Sequence, residues 1–301
     1  MSPNMERLDW KWPASPSRRR WLQRTAFGLL WVTGLISIGI LVLIVAFVWV
    51  RGGGQINWAF LVTPPEGGLS GEGGISTTIV TTLILIVVTV AIASPLGIGA
   101  GIYMAEYATE SSRRGIIPIL VNAARAGVEM LAGVPSIVFG LFGYALFVTA
   151  LKLGFSILSG ALAAACLVLP VIIRTTEEAL HAIPQSYREA SLALGATKWQ
   201  TTWNVVVPAA LPGIITGIIL SVGRIISETA VFYVTLGGSH NMPRSLMDPG
   251  RTMALHLFYL ATDTRAFDKA MATGVILVVS IILINLSINI ISRRLRAKVR
   301  G

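Results

Sequence analysis

Two arginines stand inside long apolar segments of this sequence, where a charged side chain is costly. Arg224 falls near the middle of the apolar run 209–236. A charge at the centre of a bilayer costs about 2.5–3.5 kcal/mol on insertion scales, so such residues face a bundle interior or a water-filled cavity. The planar guanidinium matches the oxygens of a tetrahedral oxyanion in bidentate fashion. Arg224 is therefore predicted to contact an oxyanion on a central pathway.

Each of the two arginines has a glutamate four residues further along the chain. Glu228 follows Arg224, and Glu178 follows Arg174 near the end of another apolar run. At that spacing both side chains of a pair lie on one face of a helix. Glu228 is predicted to limit how tightly Arg224 holds an anion, because a transport site must release what it binds. A structural role stays open for both arginines: an ion pair between helices for Arg224, and a topological signal for Arg174.

The sequence predicts no catalytic centre and no metal or nucleotide site. His181, His240 and His256 lack metal-ligand spacing, and no H-E-x-x-H, C-x-x-C or G-x-S-x-G motif is present. The phosphate-binding loop G-x-x-x-x-G-K-[ST] is also absent from the sequence. If ATP drives this protein, another chain must hydrolyse it.

The composition is that of a membrane protein with several spans. Of the 301 residues, 54% are hydrophobic and 13% are charged, whereas soluble domains carry about 25% charged residues. The net charge of +10 would suit nucleic acid. The basic residues instead cluster at the ends of apolar segments, as topology signals do, so no nucleic-acid partner is expected.

Continuous apolar runs of twenty or more residues predict membrane-spanning helices rather than barrel strands. The predicted fold class is all-α, with six transmembrane helices. The third is the least defined, because residues 115–129 suit either a lead-in helix or part of the span. The six runs are 26–50, 76–104, 130–151, 155–177, 209–236 and 270–292.

Most lysines and arginines fall on one side of these spans when the N-terminus is placed inside the cell. The positive-inside rule then puts both termini and the polar loop 184–208 in the cytoplasm. The predicted organisation is a basic cytoplasmic segment 1–25, a first transmembrane helix 26–50, a periplasmic loop 51–75, a core 76–292 that includes the 184–208 loop, and a basic cytoplasmic tail 293–301.

The 184–208 loop carries the start and stop signals of two short helices. Pro184 suits a helix start, Ser186 and Glu189 have capping-box spacing, and Gly195 suits the left-handed residue that ends a helix. A second box, T-x-x-Q, begins at Thr197, and Pro208 is predicted to stop the second helix. The loop therefore predicts a helix, a glycine turn and another helix.

The same loop resembles the coupling loop of importer-type ABC transporter permeases. That loop has E-A-A, three residues, glycine, nine residues, then an aliphatic-x-aliphatic-proline run. In the family, it docks into a groove on the ATP-hydrolysing subunit and passes motion to the membrane helices. The resemblance implies coupling roles for Tyr187, Arg188, Glu189, Ala190, Ser191, Leu194, Gly195, Ala196 and Pro208.

Four segments extend the resemblance to the phosphate-specific branch of these permeases, in its PstA-type subunit: 98–107, 133–140, 186–197 and 223–230. The resemblance implies a type I importer fold in the bacterial inner membrane. Its implied partners are a sister permease, an ATPase dimer that holds ATP and Mg²⁺, and a periplasmic phosphate-binding protein. It implies that Arg224, Arg174 and Glu228 line the phosphate path. Ser227 stands where that branch usually has glycine.

Two alternatives stay open. The coupling loop does not encode the substrate, so the chain could serve another oxyanion such as sulfate or molybdate. A membrane scaffold or sensor that binds a cytoplasmic partner without moving solute is the other alternative. An arginine–glutamate pair inside the membrane disfavours a pure scaffold.

Overall fold

The computed structural model describes residues 16–66, 71–108 and 116–300, with side chains described for 20–66, 71–108 and 119–290. Residues 1–15 of the predicted N-terminal segment, and the side chains of the predicted tail 293–301, lie outside this description. The chain separates into two compact units, Met1–Val50 and Arg51–Gly301. The described part of the first unit belongs to one apolar helix, and the second unit holds every side chain discussed below.

Helices account for the described ranges apart from connections and two isolated bridges, which confirms the all-α prediction. Short π-helical segments, Tyr103–Tyr107, Tyr144–Ala150 and Thr202–Val206, extend some of the α-helices. The twelve α-helices of these ranges are α1 (Pro16–Gly52), α2 (Trp58–Val62), α3 (Ser76–Ile102), α4 (Ile116–Ala132), α5 (Ser136–Gly143), α6 (Ile157–His181), α7 (Gln185–Ala193), α8 (Lys198–Thr201), α9 (Val207–Ser227), α10 (Ala230–Thr235), α11 (Met253–Asp263) and α12 (Phe267–Arg300).

Five helical runs in the described part are long and apolar enough to cross a membrane, and a bent pair makes a sixth if it counts as one span. This agrees with six predicted spans, one of them poorly defined. The five runs are Arg20–Gln55, Ser76–Tyr107, Ile157–His181, Lys198–Ser227 and Phe267–Ile290.

The predicted third span is bent, and its predicted start at residue 130 is wrong. α4 and the helical run Ser136–Ala150 meet at 109°. The break includes Pro135, and a proline disfavours helical geometry in the residue before it. Residues 130–132 therefore end α4, which is a separate helix rather than a straight continuation of the span.

The predicted fifth span, 209–236, is wrong at both ends. The helical run Lys198–Ser227 passes through Pro208 without stopping. Pro208 stands in the first turn of α9, directly after a π-helical segment, where its missing N–H is tolerated. At the other end the backbone becomes extended at Glu228, with ψ 130°, and α10 begins two residues later.

α6 lies at the centre of the second unit and has the largest buried share among the candidate spans. Glycines of its neighbours allow close approach: a β-carbon at Gly101 of α3 would stand 2.7 Å from the Thr176 Cβ of α6. Small residues at helix contacts are the usual way that helices pack in lipid. α6 therefore fixes the position of α3 and of the 184–208 loop that follows it.

α11 is a half-buried helix in a segment that the sequence indicated only as a connection between the last two apolar runs. Met253, Leu255, His256 and Leu260 are buried, and the Thr252 hydroxyl accepts the Leu255 N–H at 3.2 Å to cap the helix start. At eleven residues it is too short to span a bilayer.

Candidate functional site

The 184–208 loop is two short helices joined by a glycine turn, as predicted. After α7, Gly195 has φ +85°, a left-handed conformation that suits glycine. α8 begins with the predicted capping box. The Thr197 N–H donates to Gln200 Oε1 at 2.8 Å, and the Gln200 N–H donates to Thr197 Oγ1 at 3.3 Å. Both bonds satisfy donors that a helix start leaves free.

The predicted capping box at Ser186 and Glu189 is wrong. Pro184 occupies the N-cap position of α7, with φ −54° and ψ 139°, and no side chain caps this helix start. An N-cap needs a non-helical backbone, and that conformation occurs at Pro184 rather than at Ser186. Ser186 lies in the first turn of α7, and both it and Glu189 are exposed.

Arg188 of α7 is held by three partners elsewhere in the chain. Its Nε lies 3.2 Å from each carboxylate oxygen of Glu106, and its Nη2 also donates to that carboxylate. Its Nη1 donates to the Ile183 carbonyl and its Nη2 to the Leu180 carbonyl, each at 2.9 Å. Glu106 follows α3, and Leu180 belongs to the last turn of α6. This group, the Arg188 clamp, ties α7 to both helices.

The Arg188 clamp is nearly buried. The Arg188 and Glu106 side chains are 15% and 7% exposed. A buried ion pair persists only when its geometry is good and its remaining groups are hydrogen-bonded, and the two carbonyls meet that condition here. The Lys198 Nζ also lies 5.2 Å from the Tyr107 ring centre, close to Glu106 in sequence. Both helices of the 184–208 loop therefore rest on the π-helical segment Tyr103–Tyr107.

The residues to which the resemblance assigns coupling fall on two faces of the loop. Ser191 belongs to the inner face, where its Oγ lies 2.9 Å from Thr201 Oγ1 and joins α7 to α8. The partly buried members are Arg188, Ser191, Ala196 and Pro208, and the exposed members are Tyr187, Glu189, Ala190, Leu194 and Gly195.

Large apolar side chains are exposed on this polar loop. Leu194 is 90% exposed, and Tyr187, Leu192 and Trp199 are exposed beside it in sequence. Contiguous exposed apolar surface on an otherwise polar segment marks a contact with another protein. The outer face of the loop thus suits docking, whereas its inner face is fastened to the rest of the chain.

Arg224 lies in the last turn of α9, next to the break rather than in the middle of a long span. Its side chain is exposed, and the described residues contain no ion pair with it. A cation is favourable at this end of a helix because of the helix dipole. The guanidinium is accessible to a ligand or to a neighbouring subunit.

The predicted placement of Glu228 above Arg224 on one helical face is wrong. Glu228 stands just after the end of α9 in extended conformation, so the helical spacing no longer applies. Its Oε1 accepts the Val231 N–H at 3.3 Å, and the residue is 8% exposed. Glu228 therefore stabilises the start of α10.

Arg174 has two carboxylate partners. Its Nε lies 2.9 Å from Glu178 Oε1, which confirms the predicted pair, and its Nη1 lies 3.0 Å from Glu129 Oε1 on α4. Beside them Arg125 Nη2 lies 2.8 Å from Glu177 Oε1, and these two arginines and three glutamates of α4 and α6 line a cavity of about 200 Å³. These pairs join α4 to the end of α6 that leads into the 184–208 loop.

Sequence reasoning missed Glu106 as the partner of Arg188 and Glu129 as a partner of Arg174. Glu106 and Arg188 are 82 residues apart, so no local spacing connects them. One signal was available, because Glu106 stands at the end of a long apolar run and an acid there needs a partner.

Residues 97–301 match the family model described as binding-protein-dependent transport system inner membrane component. The probable ABC transporter permease protein YqgI of Bacillus subtilis is 33% identical over 285 residues, which are 89% of this chain and 94% of that protein. The phosphate transport system permease protein PstA of Xylella fastidiosa is 33% identical over 238 residues, 79% of each chain. PstA 1 of Mycobacterium tuberculosis is 40% identical over 170 residues, 56% of this chain and 53% of that protein.

Solved structures share the fold at lower identity. A bacterial ABC transporter involved in the import of the acidic polysaccharide alginate has a TM-score of 0.63 at 15% identity, covering 92% of this chain and 99% of that chain. The inward-facing MetNI methionine ABC transporter has a TM-score of 0.54 at 19% identity, covering 75% and 94%. The predicted type I ABC importer permease fold is confirmed.

Proposed function

The chain belongs to the family of binding-protein-dependent transport system inner membrane components, and from that premise we propose that it is the permease subunit of an ATP-driven importer of inorganic phosphate. The observation that carries the phosphate assignment is the 33% identity with a PstA protein over 79% of both chains. The accessible guanidinium of Arg224 at the end of α9 is consistent with an oxyanion substrate.

The proposed assembly contains a sister permease, an ATPase dimer and a periplasmic phosphate-binding protein. ATP and Mg²⁺ belong to the ATPase, and this chain binds no cofactor and no nucleic acid. The concentration of basic residues on one side of the spans supports a bacterial inner-membrane location with both termini and the 184–208 loop in the cytoplasm. Membrane lipid surrounds the spans in this arrangement.

The Arg188 clamp supplies a physical route for coupling. The exposed Tyr187, Leu194 and Trp199 would dock on the ATPase, so that its closure displaces α7 and α8. The Arg188–Glu106 pair would carry that displacement to α3, and the Leu180 carbonyl would carry it to α6. α8 continues into α9, so the same displacement reaches a third candidate span.

Arg224 is the stronger of the two arginines proposed for the phosphate path. Phosphate at Arg174 would compete with the carboxylates of Glu129 and Glu178, whereas Arg224 has no ion pair in the described part of the chain. Glu228 contributes by holding the break between α9 and α10, next to Arg224, rather than by direct pairing.

The test is ATP-dependent uptake of labelled phosphate into vesicles that hold this subunit, its co-purifying partners and the binding protein. We expect excess unlabelled phosphate to block uptake, and sulfate and molybdate to leave it unchanged. Equal competition by sulfate or molybdate would replace phosphate by another oxyanion. Absence of uptake in the presence of a functional ATPase would instead favour the scaffold or sensor alternative.

A further inference from the structure

A group of titratable side chains that the proposed coupling route does not use surrounds Arg251. Arg251 Nε donates to the Gly238 carbonyl at 3.1 Å. Its Nη1 lies 3.4 Å from His256 Nδ1, and its Nη2 lies 3.4 Å from His240 Nε2. The guanidinium carbon lies 4.3 Å from the centre of the Tyr259 ring. These four residues, Arg251, His240, His256 and Tyr259, form the Arg251 cluster.

The fold holds this cluster in place from two directions. Gly237 and Gly238 follow α10 with φ +83° and +71°, and their turn presents the Gly238 carbonyl to Arg251. Capping of α11 by Thr252 starts that helix directly after Arg251. His256 and Tyr259 are three residues apart on α11 and so share one face of the helix. The guanidinium is thereby fixed before any ligand arrives.

The cluster carries a positive charge that no carboxylate of the described residues neutralises at ion-pair distance. Arg251 is partly buried, and this burial lowers its pKa. Asp263, one turn beyond Tyr259, lies beyond ion-pair distance from Arg251, although its charge raises the Arg251 pKa. Its Oδ1 accepts the Thr262 hydroxyl. A partly desolvated cation without a counter-ion is unfavourable, and an anion would relieve that cost.

The hydrogen-bond pattern leaves donors unused. A guanidinium only donates, so His256 Nδ1 and His240 Nε2 must accept, and the proton of His240 then belongs to Nδ1. That atom is buried without a partner among the described residues. Burial and the Arg251 charge lower the pKa of His240 and lower that of His256 to about 3, so both rings are neutral near pH 7. Arg251 uses three of its five N–H donors on Gly238, His256 and His240, and the two that have no partner among the described residues suit the oxygens of an oxyanion.

We propose that the Arg251 cluster binds a small oxyanion, inorganic phosphate in this protein, at a subsite separate from Arg224. The positive-inside assignment places the 237–252 loop on the outer side of the membrane, so this subsite would receive the anion before it reaches Arg224. The identity of the anion and its direction of travel rest on the proposed function. The existence of the subsite rests on the cluster alone.

The three histidines of the chain make a direct test possible, because His181 on α6 serves as an internal reference. The full chain, with nitrogen-15 in its histidine rings, is placed in lipid nanodiscs without ATP. Phosphate, sulfate and chloride are titrated at matched ionic strength. We expect saturable shifts of the His240 and His256 ring signals with phosphate and sulfate, no such shift with chloride, and an unchanged His181. Lack of a saturable response in the wild-type chain would overturn the proposal without any variant.

Two variants, and a repeat of the titration on the chain assembled with its partner subunits, sharpen the test. Arg251→Gln should weaken the phosphate response by about tenfold or more, since a charge-assisted contact is lost. Arg244→Gln removes an exposed charge from the same loop and should leave the response unchanged. A response that survives Arg251→Gln would contradict the proposal. So would a response that disappears on assembly with the partner subunits, because a partner carboxylate would then fill the site. If the His240 and His256 signals still shift with phosphate but sulfate blocks phosphate uptake in vesicles, the phosphate specificity is refuted and the subsite is retained.

Discussion

Arg188 lies in α7 within the 184–208 loop and Arg224 in the last turn of α9, and the chain treats these two arginines in opposite ways. Arg188 is nearly buried, paired with Glu106 and bonded to two carbonyls. Arg224 is exposed and has no ion pair within the described residues. A residue that passes force needs fixed partners in its own chain, whereas a residue that handles a passing anion must stay accessible.

This difference predicts that variants at the two sites differ in whether a loss of transport is accompanied by a loss of stability. Removing one partner of a buried ion pair costs about 3–5 kcal/mol, because the other charge is left buried. Replacing an exposed residue away from such contacts usually changes stability by less than about 0.5 kcal/mol. Variants of Arg188 should therefore lose stability and transport together, and variants of Arg224 should lose transport alone.

Arg188→Gln is expected to have the largest effect. It leaves the Glu106 carboxylate buried without a charged partner, so the free energy of unfolding should fall by about 3–5 kcal/mol. ATP-driven phosphate uptake should fall to background, because α7 is no longer fastened to α3 and α6. Thermal unfolding of the purified complex and vesicle uptake measure the two effects.

The double variant Arg188→Gln/Glu106→Gln is the control for the clamp. It removes both charges, so part of the lost stability should return, and the two single effects should not add. Simple additivity would mean that the two side chains do not act as a pair.

Arg224→Gln is expected to lower phosphate uptake by about 10- to 100-fold, the effect of one lost charge-assisted contact. The unfolding temperature of the complex should stay unchanged. Arg265→Gln removes an exposed charge outside the candidate spans and should leave uptake normal. If Arg224→Gln destabilised the complex as much as Arg188→Gln, the contrast between the two arginines would not hold.

The local features of the chain could be predicted from its sequence, and the long-range ones could not. Apolar runs indicated the spans, and Gly195 and Thr197 indicated the turn and the second helix start, because each signal lies within a few residues of its effect. The Arg188–Glu106 pair joins residues 82 positions apart, and only the packing of α3 on α6 brings them together.

Two errors came from local signals that the surrounding structure overrides. Pro208 is a helix breaker by itself, yet a preceding π-helical segment lets the helix continue through it. The break at Glu228 has no glycine or proline to announce it. Beyond that break, α10 packs on α5, where a β-carbon at Gly140 would stand 3.0 Å from the Val231 Cα. A local backbone feature accounts for the first case, and the tertiary contact of α10 with α5 accounts for the second.

Gly101→Ala tests whether the Arg188 clamp depends on the contact between α3 and α6. An added β-carbon would meet the Thr176 Cβ at 2.7 Å and the Ile173 carbonyl at 2.8 Å. Such overpacking costs about 1–3 kcal/mol, and it would move the Glu106 end of α3 away from Arg188. Gly99→Ala, on the same helix with nothing within 4 Å, should be neutral or slightly stabilising. Equal melting temperatures for the two variants would contradict a close helix contact.

Thr197→Ala and Ser186→Ala form the smallest and most local test, inside the 184–208 loop itself. Thr197 caps α8 and Ser186 caps nothing, although the sequence places a polar residue three positions later in both cases. Loss of the Thr197 cap should cost about 0.5–2 kcal/mol, and loss of the Ser186 hydroxyl close to zero. Hydrogen exchange of the α8 amides measures this local effect, which a global unfolding experiment would not resolve.

Faster exchange in Thr197→Ala with an intact Arg188–Glu106 pair would show that the Arg188 clamp holds α7 independently of the α8 start. Equal protection in both variants would mean that contact with the π-helical segment Tyr103–Tyr107, rather than the capping box, orders α8.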